Sequence, residues 1–214
     1  MKRSYYLLLI FVAFAVRGQP AVSKKTSDTA LALTREKILS FINISTQDTI
    51  ADIGTGAGYN LIPLANAYPA MHFTAEDIDS NYCNKKKLLQ QIKATGNHTV
   101  IENFDIHYGT ETSTLLPQAS YSKVLAFDVL HEMSAKPAML ADIRRILRPG
   151  GAVYIEEILV HKKAKKEKVC NFPYLTEQEF KIILEDNNYL ATREQIVFDS
   201  GHNKYIKIFE CRPQ

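Results

Sequence analysis

Apolar positions along the chain alternate between two rhythms. The run ALALTREKILSFI (30–42) places Leu31, Ile38, Leu39 and Ile42 on or near one face at helical spacing. TIADI (49–53) is a short run suited to a buried strand, and YNLIPLANAY (59–68) returns to the helical period. Pro63 falls early enough in that helix to be tolerated in its first turn. MHFTAE (71–76) predicts a second strand, and SNYCNKKKLLQQIKATG (80–96) a helix closed by Gly96. TVIENF (99–104) and KVLAFDVL (123–130) predict a third and a fourth strand. The helix KPAMLADIRRIL (136–147) then stops at the turn RPGG. AVYIEEIL (152–159) predicts a fifth strand. LTEQEFKIILEDNNY (175–189) predicts a helix with Thr176 as N-cap and Glu179 completing a capping box. TREQIVF (192–198) and YIKIFECR (205–212) are two late strands joined by turn-forming residues.

Strands separated by helices of this length require right-handed crossovers, so the order predicts an α/β fold with a mostly parallel sheet. The last two strands differ. Only residues 199–204 lie between them, too few for a crossover, so they form an antiparallel hairpin at one end of the sheet.

The N-terminus stands outside this rhythm. Lys2 and Arg3 precede an apolar run from Tyr5 to Val16, short of the about 20 residues that a membrane-spanning helix requires. A basic start, a short apolar stretch and small residues at Val16 and Gly18 predict a signal peptide over 1–18, cleaved before Gln19. A linker over 19–29 then leads to one domain over 30–214. This predicts export, to the periplasm or the medium, with no membrane span in the mature chain; an uncleaved N-terminal anchor is the alternative.

The charge balance follows from that leader. The chain carries a formal +3, and removal of Lys2, Arg3 and Arg17 takes it to zero. The mature domain thus lacks the basic excess that nucleic-acid binding calls for. Cys83, Cys170 and Cys211 are widely separated, which argues against a disulfide framework and against zinc. No metal is expected.

The chemistry gathers around IADIGTGAGYN. A strand ends at Asp52, and Gly54, Thr55, Gly56 and Gly58 follow before a helix opens. Glycines here remove the side chains that would keep a ligand off the turn. The spacing is GxGxG rather than the GxGxxG of pyrophosphate sites, and a carboxylate beside it repels phosphate but suits an ammonium. The second strand delivers Asp77 to the same sheet edge, 19 residues after Gly58. An acid there can take both hydroxyls of a ribose, and Ile78 can lie against an adenine face.

These segments resemble the class I S-adenosylmethionine-dependent methyltransferases, in particular the small-molecule type that includes quinone-biosynthesis enzymes. IADIGTGAGYN is similar to the glycine-rich motif, FTAEDIDSNY to the ribose-binding segment, YSKVLAFDVLHEM to the fourth-strand motif, and MLADIRRILRPGGAVYIEE to the helix–turn–fifth-strand motif. The resemblance covers about residues 30–212. It implies a Rossmann-like, doubly wound sheet of seven strands in the order 3-2-1-4-5-7-6, the last strand antiparallel. It further implies S-adenosylmethionine as cofactor, with Asp52, Gly54 and Gly56 at the methionine moiety, Asp77 at the ribose and Asp128 near the sulfonium. The family often has Gly-Asp after the third strand. Here Gly109 precedes Thr110, which leaves Thr110, Glu111 or backbone groups to read the adenine.

Methyl transfer from a sulfonium needs no protein nucleophile, only a base where the acceptor must lose a proton. His131, just past the fourth strand, is the candidate base. Its alternative role is to shape the loop. Glu156 and Glu157 alternate along the fifth strand, so one faces the cleft and the other a helix. Glu132 can cap the following helix. The lysine-rich stretch 161–169 reads as a solvated loop, and Phe172 and Tyr174 beyond it as a flap or as packing. The acceptor is expected to be a small molecule. Two other readings stay open: a nucleoside-binding module without turnover, and a nicotinamide-dependent oxidoreductase, against which the glycine spacing and the hairpin argue.

Overall fold

The computed structural model describes residues 24–96, 98–163, 168–169 and 172–214, and for 24–31, 168, 169 and 172 the backbone alone. The expected leader, its cleavage point, the first part of the linker, Cys170 and part of the lysine-rich stretch lie outside the described residues. Helix α1 (Lys24–Ile42) begins earlier than the periodicity predicts and takes in the rest of the expected linker. Among the described residues no helix is long and apolar enough to cross a membrane.

Five strands follow, separated by helices except where a loop joins β3 to β4: β1 (Ile50–Ile53), α2 (Leu61–Ala65), β2 (Phe73–Asp77), α3 (Lys85–Thr95), β3 (Phe104–Tyr108), β4 (Tyr121–Phe127), α4 (Lys136–Ile146) and β5 (Leu147–Val160). Two short pieces, β6 (Lys168–Val169) and β7 (Phe172–Pro173), pair with each other. The two-residue β8 (Leu175–Thr176) leads into α5 (Glu177–Asp186), and the chain closes with β9 (Tyr189–Asp199) and β10 (Lys204–Pro213). The main sheet runs β3-β2-β1-β4-β5-β10-β9. Its first five strands are parallel, and β10 is antiparallel to both neighbours. This is the expected order, with the hairpin at one end of the sheet.

Strand alternation divides the core in two. Leu125, Phe127, Tyr154 and Ile158 pack on one face with Phe41, Ile62 and Leu88. Val124, Ala126, Val153 and Ile155 pack on the other with Leu140, Ile143 and Phe180. Burying each large side chain stabilises the fold by about 1.5–3 kcal/mol, so the doubly wound arrangement follows from strands apolar on both sides. Helix α5 starts as expected: the Thr176 hydroxyl accepts from the Glu179 N–H at 3.3 Å, and the Glu179 carboxylate accepts from the Thr176 N–H at 3.0 Å.

One strand is displaced from its expected place. TVIENF does not form β3; Ile101–Asn103 is a 3-10 turn, and the strand is the following FDIHY. Side-chain bonds hold the turn. The Asn103 amide donates to the Pro69 carbonyl, and the Thr99 N–H donates to the Asn66 side chain at 3.0 Å. Such local bonds compete with a ladder, and the true strand pairs from Phe73 opposite Phe104 onward.

The carboxyl end of β5 outruns its neighbour. β4 stops with Phe127 opposite Glu156, and β8 takes up the same edge with Leu175 opposite Leu159 and Thr176 opposite Val160.

Candidate functional site

The bend after β1 is held from below by the end of β2. The Thr55 N–H donates to the Glu76 carbonyl at 2.9 Å, and the Thr55 hydroxyl donates to the Asp52 carbonyl at 2.9 Å. The Asp77 carboxylate faces into the bend. Its Oδ2 accepts the Gly56 N–H at 2.8 Å, and its Oδ1 accepts the Asp79 N–H at 2.8 Å. Asp52, Gly54, Thr55, Gly56 and Asp77 are therefore brought together as the sequence predicts.

The glycines are required for different reasons. A Cβ on Gly54 would collide with the Val129 side chain, and one on Gly58 would stand 2.7 Å from Leu88 Cδ2 and 2.8 Å from Ile62 Cγ1. Packing within the protein thus occupies the space beside both. Gly56 differs, because a Cβ there would meet only Tyr82, at 3.7 Å. Its backbone, at φ +56°, lies in the left-handed region with no neighbour close enough to clash. Of the three, Gly56 is the bare main chain that a ligand can approach.

Acid surrounds this bend. Asp52 is buried, and burial together with the Asp77 charge pushes its pKa up to about 7, only partly offset by a Thr55 hydrogen bond. Glu76, which sequence reasoning passed over in favour of its neighbour, is almost wholly buried. Burial and then the Asp77 charge raise its pKa to about 8. Its Oε1 is buried with no hydrogen-bond partner among the described residues and presses against the backbone of Gly109, where no Cβ would fit. The available signal was its position: a second acid inside a strand that is otherwise apolar and covered. Carboxyls kept this close in a dry place favour a cationic ligand.

Beyond β2, Ile78 is 45% exposed beside Asp77, in place for the flat face of a base. The Gly109 N–H donates to the Asp77 carbonyl at 3.2 Å, so the loop after β3 closes against the same strand end. In that loop the Thr110 hydroxyl is engaged in its own turn, accepting from the Ser113 N–H at 3.0 Å. Glu111 is tied across to Ser134, whose hydroxyl donates to it at 2.8 Å.

A second group of titratable side chains lies at the ends of β4 and β5. Asp128 takes a left-handed backbone, φ +54°, and its N–H donates to the Glu156 carbonyl at 2.8 Å. Buried His131 sits in the 3-10 turn Leu130–Glu132. Glu157 holds it, with Oε1 accepting the His131 N–H at 3.1 Å and Oε2 2.9 Å from Nδ1. Glu156, on the opposite face of β5 as alternation requires, is also buried. Burial first, then Asp128 and Glu157, raise its carboxyl well above the usual range. Burial and the Glu157 charge bring Asp128 to about 7. Glu157 is the member missed as a named site residue. Glu132 does not cap the next helix, whose N-cap is Ala135 without a side-chain bond; its Oε1 lies 3.8 Å from His131 Nε2. Tyr174 is buried in the core, with the Lys204 ammonium 4.3 Å from its ring centre, and so packs rather than forming an open flap.

Comparison with known proteins agrees with this geometry. Residues 51–153 match the family described as a methyltransferase domain. A S-adenosyl-L-methionine-dependent Diels-Alderase, iccD of Talaromyces variabilis, is 28% identical over 153 residues, covering 71% of this chain and 49% of the relative. Thiol S-methyltransferase TMT1B of Rattus norvegicus is 29% identical over 104 residues, covering 49% of this chain and 39% of that protein. The chain thus spans less than half the length of these curated relatives. In fold it is similar to a SAM-dependent methyltransferase from Aquifex aeolicus, with a TM-score of 0.64 at 21% identity over 83% of this chain and 88% of the other.

Proposed function

We propose that the chain carries a class I methyltransferase domain and that it transfers a methyl group from S-adenosylmethionine to a small-molecule acceptor. One observation carries the reading: Asp77 is latched to the bare Gly56 main chain, with Asp52 and Glu76 buried beside it. The residues present fit the cofactor. An ammonium and a sulfonium offset a surplus of carboxyl charge, a ribose suits the Asp77 oxygens, and Gly56 leaves room for contact with the backbone.

The cofactor, when bound, supplies an activated methyl group. The task of this chain is to hold the acceptor in line with it, and well-oriented reactions of this kind reach effective molarities of about 10⁵–10⁸ M. Asp128, at the end of β4, lies on the sulfonium side in this reading. His131 and Glu156 are the groups placed to accept a proton where the acceptor must lose one, and Glu157 orients His131.

Calorimetric titration of the full chain with S-adenosylmethionine tests the proposal, followed by product analysis over hydroxyl, thiol and amine acceptors. Saturable binding with a methylated product supports it. Absence of saturable heat at millimolar cofactor defeats it, and binding without any product would favour a nucleoside-binding module. Tight binding of NADH instead would restore the oxidoreductase reading. We also propose that residues 1–18 direct export, on the strength of their basic start and short apolar run; N-terminal sequencing of protein recovered from the cell envelope tests this.

A further inference from the structure

We propose that Asp128, His131 and Glu157 form a divalent-cation site. The proposal rests on this cluster alone and does not require the methyl-transfer reading. Each residue offers a ligand atom, and the three atoms lie within 4.8 Å of one another. His131 Nδ1 is 2.9 Å from Glu157 Oε2, a hydrogen bond whose shared proton the ion would displace, and 3.9 Å from Asp128 Oδ1. Ions bound at about 2.0–2.2 Å hold neighbouring ligands about 3.0–3.5 Å apart, so the His131–Glu157 pair already has nearly that spacing and Asp128 must draw in from 3.9 Å.

The three donors are fixed by separate elements. Asp128 ends β4 in a left-handed conformation, His131 is set in a 3-10 turn, and Glu157 belongs to β5. Asp128 Oδ1 is buried and accepts no hydrogen bond among the described residues. Charge points the same way. Asp128, Glu132 and Glu157 crowd one imidazole, while the nearby Lys136 ammonium is committed to the carbonyls of His131 and Met133. A buried surplus of carboxylates is costly, and a doubly charged ion offsets it directly. One imidazole with two carboxylates and no thiolate suits manganese(II), iron(II), cobalt(II) or zinc(II) rather than copper(I). Reading the cysteines for zinc could not reveal this site, because its ligands come from two strand ends and a turn.

Its position gives the ion a use. The cluster sits at the carboxyl ends of β4 and β5, on the acceptor side of the proposed cleft. A hydroxyl or thiol bound to a cation loses its proton more readily than a free one.

The test uses the full chain stripped with chelator and titrated with manganese(II), read by electron paramagnetic resonance and calorimetry, with zinc(II) as competitor. We expect one ion per chain, displaced by zinc, with affinity reduced about tenfold or more in Asp128→Asn and Glu157→Gln and unchanged in Asp52→Asn. Should Glu157→Gln fail to fold, Asp128→Asn suffices, since Asp128 Oδ1 has no hydrogen bond to lose. Absence of saturable binding below millimolar metal overturns the proposal, as does equal affinity in the wild type and Asp128→Asn. Cofactor titration of the same preparations is a separate readout, so either proposal can fail while the other stands.

Discussion

Glu157 grips His131 at two points, its Oε1 accepting the backbone N–H at 3.1 Å and its Oε2 meeting Nδ1 at 2.9 Å. Both residues are buried, so the pair is worth more than a surface contact. Glu157→Ala leaves a backbone donor and a ring nitrogen without their acceptor and is expected to cost about 3 kcal/mol or more of stability. Glu157→Gln, which keeps one acceptor, is expected to cost less and chiefly to lower turnover. Urea unfolding of both variants checks the ordering.

The Asp77 latch makes a second prediction. Asp77→Ala removes the acceptor of the Gly56 N–H and is expected to weaken S-adenosylmethionine binding about tenfold or more, equivalent to about 1.4 kcal/mol. Asp77→Asn presents an oxygen to only one of the two N–H groups and is expected to fall between. Calorimetry on the three proteins decides whether the latch or general folding is at stake, provided their melting temperatures are compared.

Gly56 and Gly58 should respond differently to alanine. At Gly56 the new methyl meets only Tyr82, at an ordinary contact distance of 3.7 Å, so the loss of stability is the backbone cost of about 1–2 kcal/mol, while cofactor binding is expected to suffer directly. At Gly58 the methyl meets Leu88 and Ile62, adding about 1–3 kcal/mol of overpacking. Gly56→Ala is thus a binding defect and Gly58→Ala a folding defect, separable by thermal melts beside cofactor titration.

The acids at the bend predict a pH signature. Asp52 and Glu76 have folded pKa values raised to about 7 and about 8. Between the usual carboxylate range and those values the folded protein binds more protons than the unfolded chain. Stability of the ligand-free protein therefore falls as pH rises from about 4 toward 8, each group contributing at most about 1.4 kcal/mol per pH unit. A cationic ligand favours the ionised acids, so its binding should tighten over the same interval and release protons. Calorimetry in buffers of different ionisation enthalpy measures that release, and proton uptake would contradict the assignment.

Sequence alone revealed the framework because the framework is periodic. Asp52, the glycine bend, Asp77 and the terminal hairpin all follow from strand ends, turns and their order. β3 was shifted because TVIENF has strand composition, and its rival, the side-chain bonding of Thr99 and Asn103, depends on partners distant in the chain. Glu76 and Glu157 were underread for a related reason. Each is one acid of an adjacent pair, and which of two alternating carboxyls matters is decided by what packs over each face. Gly54 shows the converse: its motif position was legible, but the close neighbour proved to be Val129.

β8 has a consequence for how such a chain can diversify. Two residues stitched to β5 pass straight into a capped helix, so the scaffold on that side is anchored from Leu175 onward. Residues inserted ahead of this seam would lengthen that edge without shifting the register of the long strands or the bend at Gly56. That side of the fold can therefore drift in length while the glycine bend and its acids stay untouched.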